Sequence, residues 1–186
     1  MRLIFDVEAK PVEINGLYFC KLLFKLQLNM KTITAIVETP KGSAQKYDYD
    51  KKNKWFKLKK IMPAGMVFPF DFGFIPNTKG EDGDPLDIII ISELKSFPGC
   101  AMDCRVIGGI CANQTETNKK TVRNDRFLAI PEASQMFAEV QSIDDLPNDI
   151  IKQLQDFFIN YNEEAGKEFK PLKNIGAKEA YKLIKR

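Results

Sequence analysis

The chain has 186 residues, of which 44% are hydrophobic and 28% are charged, a composition that is ordinary for one globular domain. Its formal net charge of +3 is too small to indicate nucleic-acid binding by itself. There is no histidine, which excludes histidine-based catalysis, and the 4 cysteines have no Cys-x-x-Cys spacing, which disfavours zinc fingers. Four scattered cysteines predict reduced thiols and a cytoplasmic location.

Residues 1–29 are predicted to be an appendage that precedes a single domain covering residues 30–186. Acidic residues come early in this segment, and no uninterrupted apolar core follows of the kind that a signal peptide has. Its apolar run at residues 17–28 is broken by two lysines and is too short to span a bilayer, so no membrane partner is expected. An extra strand or hairpin is the alternative for this segment.

Strand patterns dominate the chain after residue 30. Residues 32–38 alternate between apolar and polar positions, as a half-buried strand does. Residues 46–50 and 55–58 flank a polar turn, which predicts a hairpin. The remaining predicted strands, which bring the total to five or six, are residues 86–91, 101–110 and 126–130.

Helical patterns follow the strands. Ser142 and Asp145 have the spacing of a capping box, and Asn148 is the predicted N-cap of a helix that Gly166 ends. The apolar face of this helix consists of Ile151, Leu154, Phe158 and Tyr161. Residues 177–185 predict a short terminal helix. Strands first and helices last predict an α+β fold, a small closed antiparallel β-barrel (OB-like) with C-terminal helices packed on it.

The turn from Asp82 to Asp87 concentrates three carboxylates directly before an apolar strand. Asp82, Asp84 and Asp87 fall within six residues, and Gly83 and Pro85 favour a tight turn. Clustered negative charge is costly unless a cation neutralises it, and oxygen ligands suit Mg²⁺, Mn²⁺ or Ca²⁺, so the turn predicts a divalent-metal site. A polar turn without a ligand is the alternative. An EF-hand is excluded because its sixth position, which requires glycine, would be Asp87.

The sequence on both sides of this turn resembles a known family. Upstream, residues 63–78 read PAGMVFPFDFGFIPNT; downstream, residues 97–99 read FPG and residues 105–108 read RVIG. Together with the string Asp-Gly-Asp-Pro-Leu-Asp, these stretches resemble the family I soluble inorganic pyrophosphatases over about residues 38–161. The resemblance implies hydrolysis of pyrophosphate with several Mg²⁺ ions per site, for which Mn²⁺ or Co²⁺ could substitute. It also implies a homo-oligomer, with a hexamer favoured, and no nucleic-acid partner.

The same resemblance implies roles for individual residues. Asp82 and Asp87 are expected to bind metal, and Asp84 is expected to bind metal-bound water and to act as its general base. Asp48 is expected to order metal-bound water, and Glu38 supplies a further carboxylate. The residues expected to contact phosphate are Lys46, Lys60, Arg126 and Tyr161.

Several positions depart from the family pattern. Phe68 and Phe72 stand where tyrosines are common, so their hydroxyl contacts are lost while their packing role is kept. Lys60 replaces an arginine, which exchanges a bidentate fork for a point charge. Asn162 stands where the family often has a lysine.

The loop before the last predicted strand departs most from the family pattern. An alignment on residues 127–131 places Asn124 at a metal-binding aspartate and Arg126 at a lysine. Asp125 is one position away, and neighbouring side chains of a strand point to opposite faces unless the chain is irregular. We expect Asp125 near the metal because it is charged, with Asn124 as the alternative and Glu116 as a substitute ligand.

Two other functions stay open on the sequence alone. A degenerate relative without turnover is suggested by the departures at Asn124, Arg126 and Asn162. A nucleic-acid-binding barrel is suggested by exposed charge and a stacking ring on the predicted hairpin. The residues of that surface are Lys51, Lys52, Lys54, Trp55, Lys57, Lys59 and Lys60. This second reading leaves the Asp-rich turn unexplained, because carboxylates repel phosphate when no metal is present.

Overall fold

Nine strands and two α-helices make up residues 32–185, the part of the chain that the computed structural model describes. The strands are β1 (Thr32–Thr39), β2 (Gln45–Asp50), β3 (Trp55–Ile61), β4 (Asp71–Phe74), β5 (Asp87–Ile90), β6 (Ala101–Thr115), β7 (Thr121–Arg123), β8 (Arg126–Pro131) and β9 (Glu168–Gly176). The helices are α1 (Asn148–Glu163) and α2 (Ala177–Ile184). The predicted appendage at residues 1–29, with its alternative, lies outside the described residues.

Five of these strands close into a barrel. β1 pairs with β4, β4 with β5, β5 with β8 and β8 with β6, and β6 returns to β1. The ring confirms the predicted closed barrel, and β2 and β3 form the predicted hairpin as a separate sheet. One pairing differs from the prediction: β5 and β8 are parallel. They run in the same direction because the chain crosses over through β6 and β7 before β8 begins.

Both faces of β5 are buried. Ile88 and Ile90 belong to a core cluster that includes residues of α2, whereas Ile89 and Ile91 belong to a cluster that includes residues of α1. Burial on both faces explains why the sequence here is a continuous apolar run and not an alternating one. The strand is therefore a rigid support for the Asp-rich turn that leads into it.

Three strands were not predicted. β4 lies within an aromatic run, and β7 has only three residues. β9 contains Pro171 and two lysines, yet it pairs along β6, and a register shift between Cys111 and Ala112 accommodates the proline. Such strands are determined by the partners beside them and not by their own pattern.

The helical predictions hold with one correction. Ser142 and Asp145 form the predicted capping box, which here caps a 3-10 turn at Ile143–Asp145. Asn148 is the first residue of α1 and not its cap; Pro147 precedes it and no side chain caps the helix. Gly166 follows the end of α1 with a φ of 67°. In residues 32–185 neither helix is long and apolar enough to cross a membrane.

Gly73 on β4 permits the close approach of β1. A Cβ atom at this position would lie 1.9 Å from the carbonyl oxygen of Ile36, which is a backbone atom and cannot rotate away. We therefore expect Gly73→Ala to lower the free energy of unfolding by about 3 kcal/mol, as overpacking of a core does. Urea denaturation measures the change. Gly176→Ala is the control, because a Cβ atom there meets nothing within 4 Å. An equal loss of unfolding free energy in both variants would show that the contact with the Ile36 backbone is not the cause.

Candidate active site

The Asp-rich turn is held by its own backbone. The amide of Gly80 donates to the carbonyl oxygen of Asp84 at 2.7 Å, and the amide of Asp84 donates to Oδ1 of Asp82 at 3.1 Å. Gly83 has a φ of 91°, a conformation that glycine adopts without strain. The turn therefore presents Asp82 and Asp84 beside Asp87, the first residue of β5, and all three line one cavity of about 500 Å³.

A buried lysine joins two further carboxylates of this cavity. Lys46 is only 7% exposed, and its Nζ lies 3.1 Å from Oε2 of Glu38, 3.0 Å from Oδ1 of Asp48 and 2.7 Å from the carbonyl oxygen of Tyr47. Burial lowers the pKa of Lys46, but Glu38 and Asp48 outweigh it, so the pKa lies above its ordinary value. Burial raises the pKa of Asp48, but the charges of Lys46 and Lys59 outweigh this effect. The pKa of Asp48 therefore lies below its ordinary value.

Arg126 stands beside Asp87 because β5 and β8 pair in parallel with these two residues in register. Nη1 of Arg126 lies 2.5 Å from Oδ2 of Asp87. The guanidinium carbon is 5.9, 5.1 and 5.3 Å from the ring centroids of Phe72, Phe158 and Phe169, so three aromatic rings fix its position. Burial raises the pKa of Asp87 to about 6, although Arg126 acts in the opposite direction.

Asn124 lines the cavity next to Arg126. Its Oδ1 accepts a hydrogen bond from Nη1 of Arg126, and its Nδ2 donates to Oε1 of Gln114 at 3.3 Å. The amide therefore links the guanidinium to β6.

Asp125 differs from the sequence-based expectation, because its side chain does not line this cavity. Its Oδ1 accepts from the backbone amide of Ala112 at 3.0 Å and from Nε of Arg123. The side chain of Asn124 thus faces the cavity and that of Asp125 faces away from it, because neighbouring side chains of an extended chain point to opposite sides. Asp125 fastens the loop to β6.

Tyr161 and Lys60 meet at the edge of the site. α1 places Tyr161 in the cavity lining, and Nζ of Lys60 lies 3.9 Å from the centroid of its ring. Burial raises the pKa of Tyr161, and burial followed by the charge of Lys46 lowers the pKa of Lys60. Lys60 itself is not among the residues that line the cavity.

Phe72 keeps the packing role expected of it. It is 6% exposed, it lines the cavity, and Nζ of Lys46 lies 5.0 Å from its ring centroid. Phe72 thus presents an aromatic face to a buried cation.

Four further lysine or glutamine side chains line the cavity, and the sequence predicted no metal- or phosphate-binding role for them. They are Lys51, Gln114, Lys120 and Lys167. Lys51 reaches Asp84, with Nζ 3.7 Å from Oδ1, and Lys167 reaches Glu116, with Nζ 2.7 Å from Oε2. Lys51 belongs to the basic hairpin visible in the sequence. Lys167 follows a helix in a stretch without any pattern, so nothing in the sequence indicated it.

The carboxylate oxygens of the cavity are the type of ligand that a hard cation binds. Six carboxylates line the cavity, namely Glu38, Asp48, Asp82, Asp84, Asp87 and Glu116, and oxygen ligands are those that Mg²⁺ prefers. Within residues 32–185 no three acidic or thiol side chains already converge on one point as a metal would require. Instead, the carboxylates of Glu38, Asp48, Asp84 and Asp87 each lie within 4 Å of a lysine or arginine nitrogen.

Comparisons with known proteins all indicate one family. The family model described as inorganic pyrophosphatase matches residues 35–186. The inorganic pyrophosphatase of Geobacillus stearothermophilus is 36% identical over 154 residues, which are 83% of this chain and 90% of that protein. That of Halalkalibacterium halodurans is 34% identical over 159 residues, 86% of this chain and 94% of that protein.

Solved structures give the same result. The crystal structure of inorganic pyrophosphatase from Thermus thermophilus superimposes with a TM-score of 0.77 at 28% identity, covering 84% of this chain and 89% of that one. The enzyme from Neisseria gonorrhoeae also gives a TM-score of 0.77, at 30% identity, covering 86% of this chain and 90% of that one.

Proposed function

This chain belongs to the inorganic pyrophosphatase family, whose reaction is the hydrolysis of pyrophosphate to two phosphates, and on that premise we propose how its own residues carry the reaction out. The observation that supports the proposal is the composition of one cavity, which is lined by six carboxylates together with Lys46, Arg126 and Tyr161. Hydrolysis of pyrophosphate, a small polyanion, needs cationic side chains to hold its oxygens. It also needs carboxylates to hold a metal and to accept a proton.

We assign the metal to the Asp-rich turn. Asp82, Asp84 and Asp87 would hold Mg²⁺, with Mn²⁺ or Co²⁺ as substitutes, and Glu38 and Asp48 would order the water around it. When bound, the ion would neutralise phosphoryl charge and lower the pKa of a bound water molecule toward about 7. This assignment agrees with the oxygen donors of the turn and with its support by the buried strand β5.

Asp84 is the proposed general base. Its side chain is 80% exposed and its ion pair with Lys51 is long at 3.7 Å, so little holds its carboxylate away from an attacking water. A carboxylate that is weakly engaged can accept the proton of the water as the new bond to phosphorus forms. Asp87 is less suited to this role, because its Oδ2 pairs with Arg126 and its other oxygen is assigned to the metal.

Lys46, Arg126 and Tyr161 are the proposed phosphate ligands. The ammonium of Lys46 is fixed by Glu38 and Asp48, and a phosphate oxygen can replace either carboxylate without moving the cation. Arg126 is fixed by Asp87 and by the aromatic rings around it, so its charge is already oriented when substrate arrives. Lys60 then acts through Tyr161, on whose ring it lies.

Metal binding at the turn is tested by titration with Mn²⁺ followed by electron paramagnetic resonance. We expect Asp82→Asn and Asp87→Asn each to weaken Mn²⁺ binding at least about tenfold, because each removes a charged oxygen ligand. Asp149→Asn on α1 is the control, since its carboxylate is not among the residues that line the cavity. Unchanged affinity in both turn variants would contradict the assignment.

The loop before β8 gives a second test. Asp125→Ala removes the acceptor for the Ala112 amide, so we expect the free energy of unfolding to fall by about 1–3 kcal/mol with the Mg²⁺ dependence of hydrolysis unchanged. Asn124→Ala removes the link to Arg126, so we expect a change in KM or in Mg²⁺ dependence with little loss of stability. Activity assays and urea denaturation measure both. A larger shift of the Mg²⁺ dependence in Asp125→Ala than in Asn124→Ala would indicate that Asp125, and not Asn124, lies at the metal.

Two further properties are part of the proposal. A cytoplasmic location is supported by the free thiols of Cys100, Cys104 and Cys111. A homo-oligomer, with a hexamer favoured, is supported by exposed apolar side chains at Leu94, Phe97 and Met136. Sedimentation equilibrium measures the second property, and a monomer at micromolar concentration would contradict it.

A further inference from the structure

A continuous series of polar contacts runs along the cavity from the Asp-rich turn to the end of α1. Arg126 joins Asp87 to Asn124, and Nδ2 of Asn124 donates to Oε1 of Gln114 at 3.3 Å. Nε2 of Gln114 donates to Oε1 of Glu116 at 2.5 Å, and Oε2 of Glu116 lies 2.7 Å from Nζ of Lys167. The members of this series, all of which line the cavity, are Asp87, Arg126, Asn124, Gln114, Glu116 and Lys167.

Lys167 is anchored at the backbone but only lightly engaged at its ammonium. Its amide donates to the carbonyl oxygen of Asn162 at 2.9 Å, which fixes the chain just after α1. Its side chain is 33% exposed, and the one ion pair that it makes within residues 32–185 is with Glu116. A lysine ammonium carries three donors, so this contact leaves capacity for an anion in the cavity.

Asn162 cannot supply a cation at this end of the cavity. It is 3% exposed, and its Nδ2 donates to the carbonyl oxygen of Phe158 at 2.8 Å, within α1 itself. It carries no charge to offer a phosphate. The cation that this end of the cavity presents therefore comes from Lys167, five residues farther along the chain.

Glu116 has both oxygens engaged. Oε1 accepts from Gln114, Oε2 pairs with Lys167, and the hydrogen bond with Lys167 holds the pKa of Glu116 below its ordinary value. A carboxylate bound in this way directs the ammonium of Lys167 into the cavity, and it would have to give up a partner in order to ligate a metal.

We propose that Lys167 binds a phosphate group of the substrate, and that Glu116 is the residue that positions Lys167 and not a metal ligand. The proposal rests on the hydrolysis of pyrophosphate assigned above. It adds a substrate contact at the end of the cavity away from Asp87, supplied by the segment between α1 and β9.

The test is the affinity of inorganic phosphate for the Mg²⁺-loaded protein, measured by isothermal titration calorimetry. We expect Lys167→Gln to weaken phosphate binding about tenfold, which is the loss of one charge-assisted hydrogen bond, and to raise KM for pyrophosphate similarly with kcat within about threefold. Lys167→Arg should recover most of the affinity. Lys170→Gln is the matched control, because that lysine lies on β9, is exposed and does not line the cavity. Unchanged phosphate affinity in Lys167→Gln would overturn the proposal.

Glu116→Gln tests the second half of the proposal. We expect the Mg²⁺ concentration for half-maximal binding to stay within about twofold, and phosphate affinity to fall about two- to fivefold, because Lys167 keeps its charge but loses the carboxylate that directs it. Unchanged phosphate affinity would show that Glu116 does not position Lys167. A rise of about tenfold in the Mg²⁺ requirement would make Glu116 a ligand and overturn its positioning role. A wild-type protein without hydrolysis would contradict the proposed function, whereas the phosphate affinities would still decide the role of Lys167.

Discussion

Asp84→Asn is expected to lower kcat for pyrophosphate hydrolysis by about 10²–10⁴-fold, the contribution that a positioned general base makes. An amide of the same shape cannot accept a proton, so the loss should appear in kcat more than in KM. The fold should be spared, because the side chain is 80% exposed and its contact with Lys51 is a long surface pair. Steady-state phosphate release and a thermal melt measure the two effects.

Glu81→Gln is the control for this substitution. Glu81 directly precedes the turn and is exposed, and its carboxylate accepts from the backbone amide of Arg123 without lining the cavity. Removal of that charge should change kcat by less than about threefold. Equal activities of wild-type protein and Asp84→Asn would assign the base to another residue.

Arg126→Met should have the second-largest effect, a fall in kcat/KM of at least about 100-fold. The substitution removes a buried cation that is already oriented by Asp87, Asn124 and three aromatic rings. The phosphate contact that we propose for this cation, worth several kcal/mol in the transition state, would then be lost. It also leaves Asp87 without its guanidinium partner, so the free energy of unfolding should decrease. Kinetic assays and urea denaturation measure these changes.

Arg126→Lys separates charge from geometry. The charge is retained, but the planar fork that bridges Asp87 and Asn124 is lost, so an intermediate loss of about tenfold is expected. Activity of Arg126→Met within threefold of the wild-type protein would show that this guanidinium does not contact the substrate.

The fold was predictable where a strand carries its own pattern. The starts of β1, β5, β6 and β8 fall within one residue of the predictions, because alternation or a continuous apolar run reflects one or two buried faces. β4 was not predictable, since its place depends on the backbone of β1 passing over Gly73. β9 carries a proline, and only the long partner β6 makes it a strand. The parallel pairing of β5 with β8 is likewise a property of the crossover and not of either segment.

The site was predictable where it is local in sequence. The turn from Asp82 to Asp87 is visible in the residues, and its three carboxylates line one cavity. The sequence favoured Asp125 over Asn124 because of its charge, whereas Asn124 is the one that lines the cavity, since the loop before β8 decides which of the two neighbouring side chains faces it. Lys167 reaches the cavity only through the packing of α1 and β9, and no local pattern marks it. Its role stays a proposal, as do those of the other site residues.

The measurement that tests these conclusions most directly is phosphate release from pyrophosphate by the wild-type protein, with and without Mg²⁺. We expect steady release that requires the metal and that stops when a chelator is added, in spite of the amide at Asn124. No release with Mg²⁺, Mn²⁺ or Co²⁺ from a sample whose circular dichroism and thermal melt show a folded barrel would contradict them. The chain would then be a relative that keeps the fold of the family without its turnover.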